Sequence, residues 1–144
     1  MQENLYLGNL DAKRDWGHAR DYAEGMWRIL QQAEADDFIL GTGESHSVRE
    51  FVELAFREVG IRVAWRGRGM DETGIDAASQ RVLVKIDRRY FRPTEVDHLV
   101  SDPSKARQQL GWRHTVSFKE LVTEMVQADV ETVKLEAGRR NRAE

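Results

Sequence analysis

The sequence contains no cysteine, and it has only two prolines. The absence of cysteine excludes disulfides and thiolate metal sites, and it is compatible with the reducing cytoplasm as the location. No apolar run approaches the roughly 18 residues of a transmembrane helix, so we expect no membrane partner. The first ten residues, MQENLYLGNL, have neither the basic nor the apolar region of a signal peptide.

An excess of positive charge is also missing. Lysine and arginine number 22 against 25 aspartates and glutamates, which gives a net charge of −3. A nucleic-acid-binding domain needs clustered positive charge to neutralise phosphates, so we expect no nucleic-acid partner. With 144 residues, of which 40% are hydrophobic, the chain suits one domain with its own core.

Helical spacing of apolar residues predicts three longer helices. The first runs from about residue 17 to 33, and its predicted inward face consists of Ala19, Tyr22, Ala23, Met26, Leu30 and Ala33. The capping boxes Ser47/Glu50 and Ser117/Glu120 begin the other two. A shorter helix is expected between Asp102-Pro103 and Gly111.

Alternating apolar residues predict strands over Asn4–Leu10, Ile61–Trp65 and Arg81–Ile86. The apolar run Phe38–Leu40 is predicted to be a strand of a parallel sheet, buried on both faces. Strands and helices therefore alternate, which indicates an α/β fold. Because few strands are available to flank Phe38–Leu40, we expect the chain to be part of something larger.

Two stretches lack any period. Residues 66–80 are rich in glycine, aspartate and arginine, and we predict a mobile loop there. Residues 136–144 are polar and are predicted to form a frayed tail. The remaining residues, 1–135, are expected to form one α/β region.

A family resemblance is carried by three long stretches, Leu7–Trp27, Gly43–Phe56 and Tyr90–Trp112, and by the segment SFKELVTEMVQADVE. Together they resemble the second half of GDP-mannose 4,6-dehydratases, which belong to the extended short-chain dehydrogenase/reductase superfamily. The combination of RDWG with RPTEVD at this separation is specific to that family. The resemblance implies the C-terminal portion of such a fold: the last strands and helices of a doubly wound sheet, with the small substrate-binding region.

The resemblance also implies an activity. The family uses NADP to convert GDP-mannose to GDP-4-keto-6-deoxymannose and water, a step toward fucose and other deoxysugars. This chain lacks two features of that chemistry. It has no glycine-rich dinucleotide turn between a strand and a helix. It also has no Tyr-x-x-x-Lys, because the residues four positions after its three tyrosines are Leu10, Met26 and Thr94.

We therefore expect the cofactor-binding N-terminal half to be absent, NADP not to bind this chain alone, and the chain alone to be inactive. An expressed fragment, a split gene product and a truncated reading frame all remain open. Two other readings also remain open: a fragment of another GDP-sugar reductase or epimerase, and a non-enzymatic α/β interaction module.

Five residues are candidates for binding GDP-mannose or GDP. The resemblance implies that Arg14 holds the diphosphate and that Arg92 and Glu95 hold the nucleotide end, while Asn9 and Lys13 flank the same loop. Arginine suits phosphate because its planar group donates paired hydrogen bonds, and a carboxylate can accept from the guanine edge. We expect no metal ligands.

Structural roles are the alternative for each candidate. Arg14 could pair with Asp15 or Asp21, and Arg92 could pair with Glu95 or Asp97 on the surface. Asn9 could stabilise a turn. Trp16 and Trp65 are expected in the core, and His18 and His46 at helix ends. The uncovered apolar helix face and the Phe38–Leu40 strand predict self-association, or binding of a chain that supplies the missing half.

Overall fold

The computed structural model describes residues 3–140. Its strands are β1 (Leu5–Leu7), β2 (Lys13–Arg14), β3 (His46–Ser47), β4 (Val63–Arg66), β5 (Thr73–Asp76) and β6 (Val82–Ile86). Its helices are α1 (Ala19–Leu30), α2 (Val48–Glu58), α3 (Ser104–Gln109) and α4 (Phe118–Arg140), with one 3₁₀ turn at Gly69–Asp71. The predicted α/β class is confirmed.

Four strands form one sheet in the order β1-β6-β5-β4. β1 is parallel to β6, whereas the β6–β5 and β5–β4 pairs are antiparallel. Helix α2 packs on this sheet through Val52, which forms a buried cluster with Leu83 and Val84. The strands predicted from alternation, β1, β4 and β6, are therefore present and share one core.

The prediction of a loop over residues 66–80 is wrong. This stretch contains β5, which lies between β4 and β6 and buries Ile75 to 3% exposure. At Gly74 an added Cβ would lie 3.0 Å from the Trp65 ring, so a side chain there would crowd the neighbouring strand. The four residues of β5 include a glycine and show no alternation of apolar and polar side chains. They form a strand because β4 and β6 pair with them on either side.

The prediction of a strand at Phe38–Leu40 is also wrong. The segment has no strand partner among the described residues, and Ile39 is 58% exposed. Phe38 and Leu40 instead pack on a second buried cluster, formed by Ala106, Leu110 and Trp112. The apolar run therefore attaches to the α1 and α3 side of the molecule by two side chains rather than by backbone pairing.

Helix α1 is present, but most of its predicted inward face points outward; of that face, Tyr22 packs on the second buried cluster. Met26 is 60% exposed and Leu30 is 80% exposed, and Trp27 beside them is 61% exposed. The buried residues of α1 are Asp21 and Gly25. An added Cβ at Gly25 would lie 2.6 Å from Leu40 Cδ1, so the glycine permits the close approach of the segment that follows. Apolar residues on both sides are typical of a helix that is covered on both sides.

The helix ends largely follow the sequence signals. The Ser47 hydroxyl accepts from the Glu50 N–H (3.1 Å), and Gly60 adopts φ +78° beyond α2. Ser117 and Glu120 form both hydrogen bonds of a capping box. Helix α4 continues to Arg140, so the predicted tail is helical that far; residues 141–144 lie outside the described residues. None of the described helices has the length and apolar character needed to cross a membrane.

Candidate functional site

Strand β2 lies at the centre of the candidate site. It pairs antiparallel with β3 on one side. On its other side the Lys13 N–H donates to the Asp97 carbonyl (2.8 Å), and the Leu99 N–H donates to the Lys13 carbonyl (3.1 Å). This pairing brings residues 9–14 alongside residues 92–99, although more than 80 positions separate Asn9 from Arg92. All five candidate residues therefore lie on two adjacent segments.

Arg14 forms an ion pair with Glu95, with 2.5 Å between Nη2 and Oε1. Its Nη1 donates to the carbonyls of Val96 and Lys13, both at 2.7 Å. A guanidinium has five N–H donors, so these three bonds leave two for a ligand. The pairings of Arg14 with Asp15 or Asp21 and of Arg92 with Glu95 that the sequence allowed are not formed. Glu95 binds Arg14 instead.

Asn9 holds the backbone of Arg92. Its Nδ2 donates to the Arg92 carbonyl (2.9 Å), and its Oδ1 accepts from the Arg92 N–H (2.8 Å). The side chains of Arg92 and Lys13 are exposed, and neither forms an ion pair with another described residue. The two segments that carry the Arg14–Glu95 pair therefore also carry two exposed cationic side chains.

Arg49 supports the same loop from α2. Its N–H donates to the Leu10 carbonyl (2.8 Å), and its guanidinium binds Asp11 (2.9 Å) and Glu72 (2.7 and 3.1 Å). The hydrogen bonds to Glu72 raise the pKa of Arg49, and the carboxylate of Asp11 adds to this. Arg49 carries no signal in the sequence, because its partners Asp11 and Glu72 lie far away in the chain.

Asp15, whose partners the sequence did not indicate, accepts five hydrogen bonds from three residues. Its Oδ1 accepts from the N–H (2.9 Å) and hydroxyl (2.7 Å) of Thr42. Its Oδ2 accepts from the Gly43 N–H (3.1 Å) and from the N–H (3.2 Å) and hydroxyl (2.5 Å) of Ser101. Burial alone would raise the pKa of Asp15, but these hydrogen bonds outweigh it and lower that pKa to about 2. The sequence signals for Asp15 were its position next to Arg14 and its place in the RDWG motif, and neither indicates its partners Thr42, Gly43 and Ser101.

The two tryptophans and two histidines for which the sequence predicted structural roles make contacts within the protein. Trp16 packs 5.0 Å from the Phe51 ring, and Trp65 donates to Glu53 (2.7 Å). His18 caps α1 by accepting from the Arg20 N–H, and His46 lies just before α2, where it bonds Glu50 and stacks on Phe118. Among the described residues, no group of three or more histidine, aspartate or glutamate side chains is placed to hold a metal ion.

A family model described as GDP-mannose 4,6 dehydratase matches residues 1–125. The chain is 57% identical over 129 residues to the GDP-mannose 4,6-dehydratase of Sinorhizobium fredii; this alignment covers 90% of this chain and 37% of that protein. This chain thus spans little more than a third of that relative's length.

Solved structures show the same fold at low identity. RMD from Pseudomonas aeruginosa, complexed with NADPH, matches with a TM-score of 0.66 at 16% identity, over 88% of this chain and 36% of that one. UDP-glucose 4-epimerase from Thermotoga maritima, with UDP-glucose, matches with a TM-score of 0.65 at 19% identity, over 90% and 36%. The fold is therefore that of about a third of an extended short-chain dehydrogenase/reductase.

Proposed function

The chain belongs to the GDP-mannose 4,6-dehydratase family, and from that membership we propose that it binds the nucleotide end of a GDP-sugar. The observation that carries the proposal is the meeting of Arg14, Glu95 and Arg92 on two adjacent segments. These residues are distant in the chain, carry charges that suit a nucleoside diphosphate and lie on segments that pair with each other.

We assign the diphosphate of the ligand to the cationic side chains of these two segments. Arg14 keeps two N–H donors beyond its protein contacts, and charge-assisted hydrogen bonds from arginine to phosphate are among the stronger ones in proteins. Arg92 and Lys13 add two exposed positive charges on the same two segments. Asn9 contributes by holding the Arg92 backbone, since both of its polar groups bind there.

The guanine is assigned to Glu95. Its Oε1 accepts from Arg14 and from the Val96 N–H, which leaves Oε2 for two adjacent N–H groups of a base. Uracil has one ring N–H and no exocyclic amine, so GDP should bind more tightly than UDP.

The complete activity is proposed for a larger protein. In it, this chain would position GDP-mannose while NADP and the catalytic tyrosine and lysine come from residues that this chain does not contain. A cytoplasmic location belongs to the same proposal. The purified chain, incubated with GDP-mannose and NADP, should yield no 4-keto product by mass spectrometry; turnover that is lost on Arg92→Ala would show that the chain is catalytic by itself.

Calorimetry at low salt tests the binding site directly. Glu95→Ala should weaken GDP binding roughly ten- to hundredfold, because a hydrogen bond to a charged group contributes about 1.5–3 kcal/mol, and it should narrow the preference over UDP. Glu24→Ala is the matched control, since Glu24 also pairs with an arginine, Arg28, at 2.6 Å on another surface. Equal affinity for GDP and UDP in the unaltered chain, or no change in Glu95→Ala, would count against the assignment.

A protein partner is the second part of the proposal. We define the α1 apolar face as Met26, Trp27 and Leu30, all of which are more than half exposed. Exposed apolar surface of this kind favours association. We propose that the chain self-associates or binds a chain that supplies the cofactor-binding half.

A further inference from the structure

The carboxylate of Asp15 joins three separate parts of the chain at the residue directly after Arg14. Thr42 and Gly43 come from the segment before β3, and Ser101 comes from the segment that follows Glu95. The backbone pairing of Lys13 with Asp97 and Leu99 runs toward Ser101, so the Asp15 carboxylate continues the attachment of β2 to that segment. Arg14 lies inside this attachment.

The residues around the Asp15 carboxylate are tightly packed. An added Cβ at Gly41 would lie 1.9 Å from Ser101 Oγ and 3.1 Å from Asp15 Oδ2, so no side chain fits there. Thr42 is only 5% exposed, and Arg107 of α3 donates to its carbonyl (2.7 Å). The donors that face Asp15 are therefore held by the fold and do not depend on Asp15 alone.

We propose that Asp15 is a positioning residue for the nucleotide site, fixing the backbone of Arg14 so that its guanidinium meets Glu95 and the diphosphate. The inference rests on the proposed function, because it assigns to Asp15 the placement of a ligand-binding arginine. Small displacements of a binding group have large effects on ligand interactions, which is why supporting hydrogen bonds matter.

A purely structural role is the competing explanation, and the chain offers a matched control for it. Asp21 is 3% exposed and accepts from the N–H (2.9 Å) and hydroxyl (2.7 Å) of Thr115 and from the Val116 N–H (3.1 Å). It thus anchors α1 as Asp15 anchors β2, but its partners lie on segments that contain none of the five candidate residues.

The test measures the affinity for GDP and the free energy of unfolding of five variants of the full chain: four single substitutions and one double variant. Asp15→Asn replaces one acceptor oxygen with an NH₂ group that faces N–H and O–H donors, so it should weaken GDP binding about tenfold or more. Ser101→Ala removes one hydroxyl donor and provides a milder change if Asp15→Asn does not fold. Asp21→Asn should lower stability while GDP affinity stays within about twofold.

The decisive variant combines Asp15→Asn with Arg14→Ala. If Asp15 acts through Arg14, the double variant binds GDP no more weakly than Arg14→Ala alone, because the two losses are not additive. Additive losses, or undiminished affinity in both Asp15→Asn and Ser101→Ala while Arg14→Ala loses binding, overturn the inference but leave the proposed function intact. Absence of GDP binding by the unaltered chain overturns both.

Discussion

At the scale of the residue, two aspartates, Asp15 and Asp21, each link segments that are distant in the chain. The sequence suggested them only as ion-pair partners of Arg14. Asp15 and Asp21 accept hydrogen bonds from backbone N–H groups and hydroxyls of distant segments rather than from arginines. For Asp21 as for Asp15, burial alone would raise the pKa, but the bonds from Thr115 and Val116 and the charge of His18 lower it. Both carboxylates are therefore stabilised in their ionised form.

The lowered pKa values of Asp15 and Asp21 predict that the folded chain loses stability in acid. The pKa of Asp15 is about 2 in the folded chain against 3.8 for an ordinary aspartate. A carboxyl whose pKa is lower when folded contributes stability above the unfolded pKa, and this contribution is lost as the pH falls toward the folded value. The free energy of unfolding should therefore decrease between about pH 4 and pH 2, as measured by urea denaturation at a series of pH values.

Asp21→Asn should reduce that dependence and lower the free energy of unfolding at neutral pH by about 1–3 kcal/mol, the typical cost of leaving buried donors without an acceptor. Asp129→Asn is a suitable control because Asp129 is an exposed residue of α4. A stability of Asp21→Asn equal to that of the unaltered chain, with the same acid dependence, would contradict the role assigned to Asp21.

At the scale of the element, the segment 38–40 shows how an apolar run can be misread. A run of three apolar residues is consistent with a buried strand, but it is equally consistent with two anchoring side chains around an exposed one. Leu40 reaches α1 at Gly25, whereas Ile39 is more than half exposed. The two neighbours should therefore respond differently to truncation.

Leu40→Ala should lower the free energy of unfolding by about 1–3 kcal/mol, because it removes packing from a largely buried position. Ile39→Ala should change it by less than about 0.5 kcal/mol, as for other exposed positions. The two free energies of unfolding are compared by denaturant unfolding at low protein concentration, where self-association does not contribute. Equal losses in the two variants would indicate that Ile39 is buried, as a two-sided strand requires.

At the scale of the whole molecule, the helices that cover the two buried clusters differ in how much apolar surface they leave exposed. The sheet covers its core with α2, whereas α1 covers the second cluster and exposes the α1 apolar face on its other side. Such a face is stabilised when another surface covers it. This is the physical basis for a partner, either a second copy or a chain with the cofactor-binding half.

Sedimentation equilibrium over a range of concentrations should show association of the unaltered chain. Leu30→Lys should shift the equilibrium toward the monomer, because it places a charge in the α1 apolar face. Leu135→Lys is the matched control, since Leu135 is also exposed (65%) but lies on α4. A compact monomer at high concentration, or the same shift in both variants, would exclude the α1 apolar face as the contact.

Local patterns in the sequence were enough to predict the α/β class, the helix starts at Ser47 and Ser117, the strands with clear alternation and the family. These follow from local rules: capping needs residues three positions apart, and alternation needs only neighbours. The sequence also suggested five candidate residues, and the structure places all five on two adjacent segments.

The folded chain was needed to establish which face of α1 is buried, that residues 73–76 form a strand between two others, and that Arg14 pairs with Glu95 rather than with Asp15. Each of these depends on groups that are far apart in the chain: Gly25 admits Leu40, Ile75 is enclosed by two strands, and Asp15 meets the donors of Thr42 and Ser101. Burial and hydrogen-bond partnership are properties of the assembled surfaces, so no local pattern encodes them.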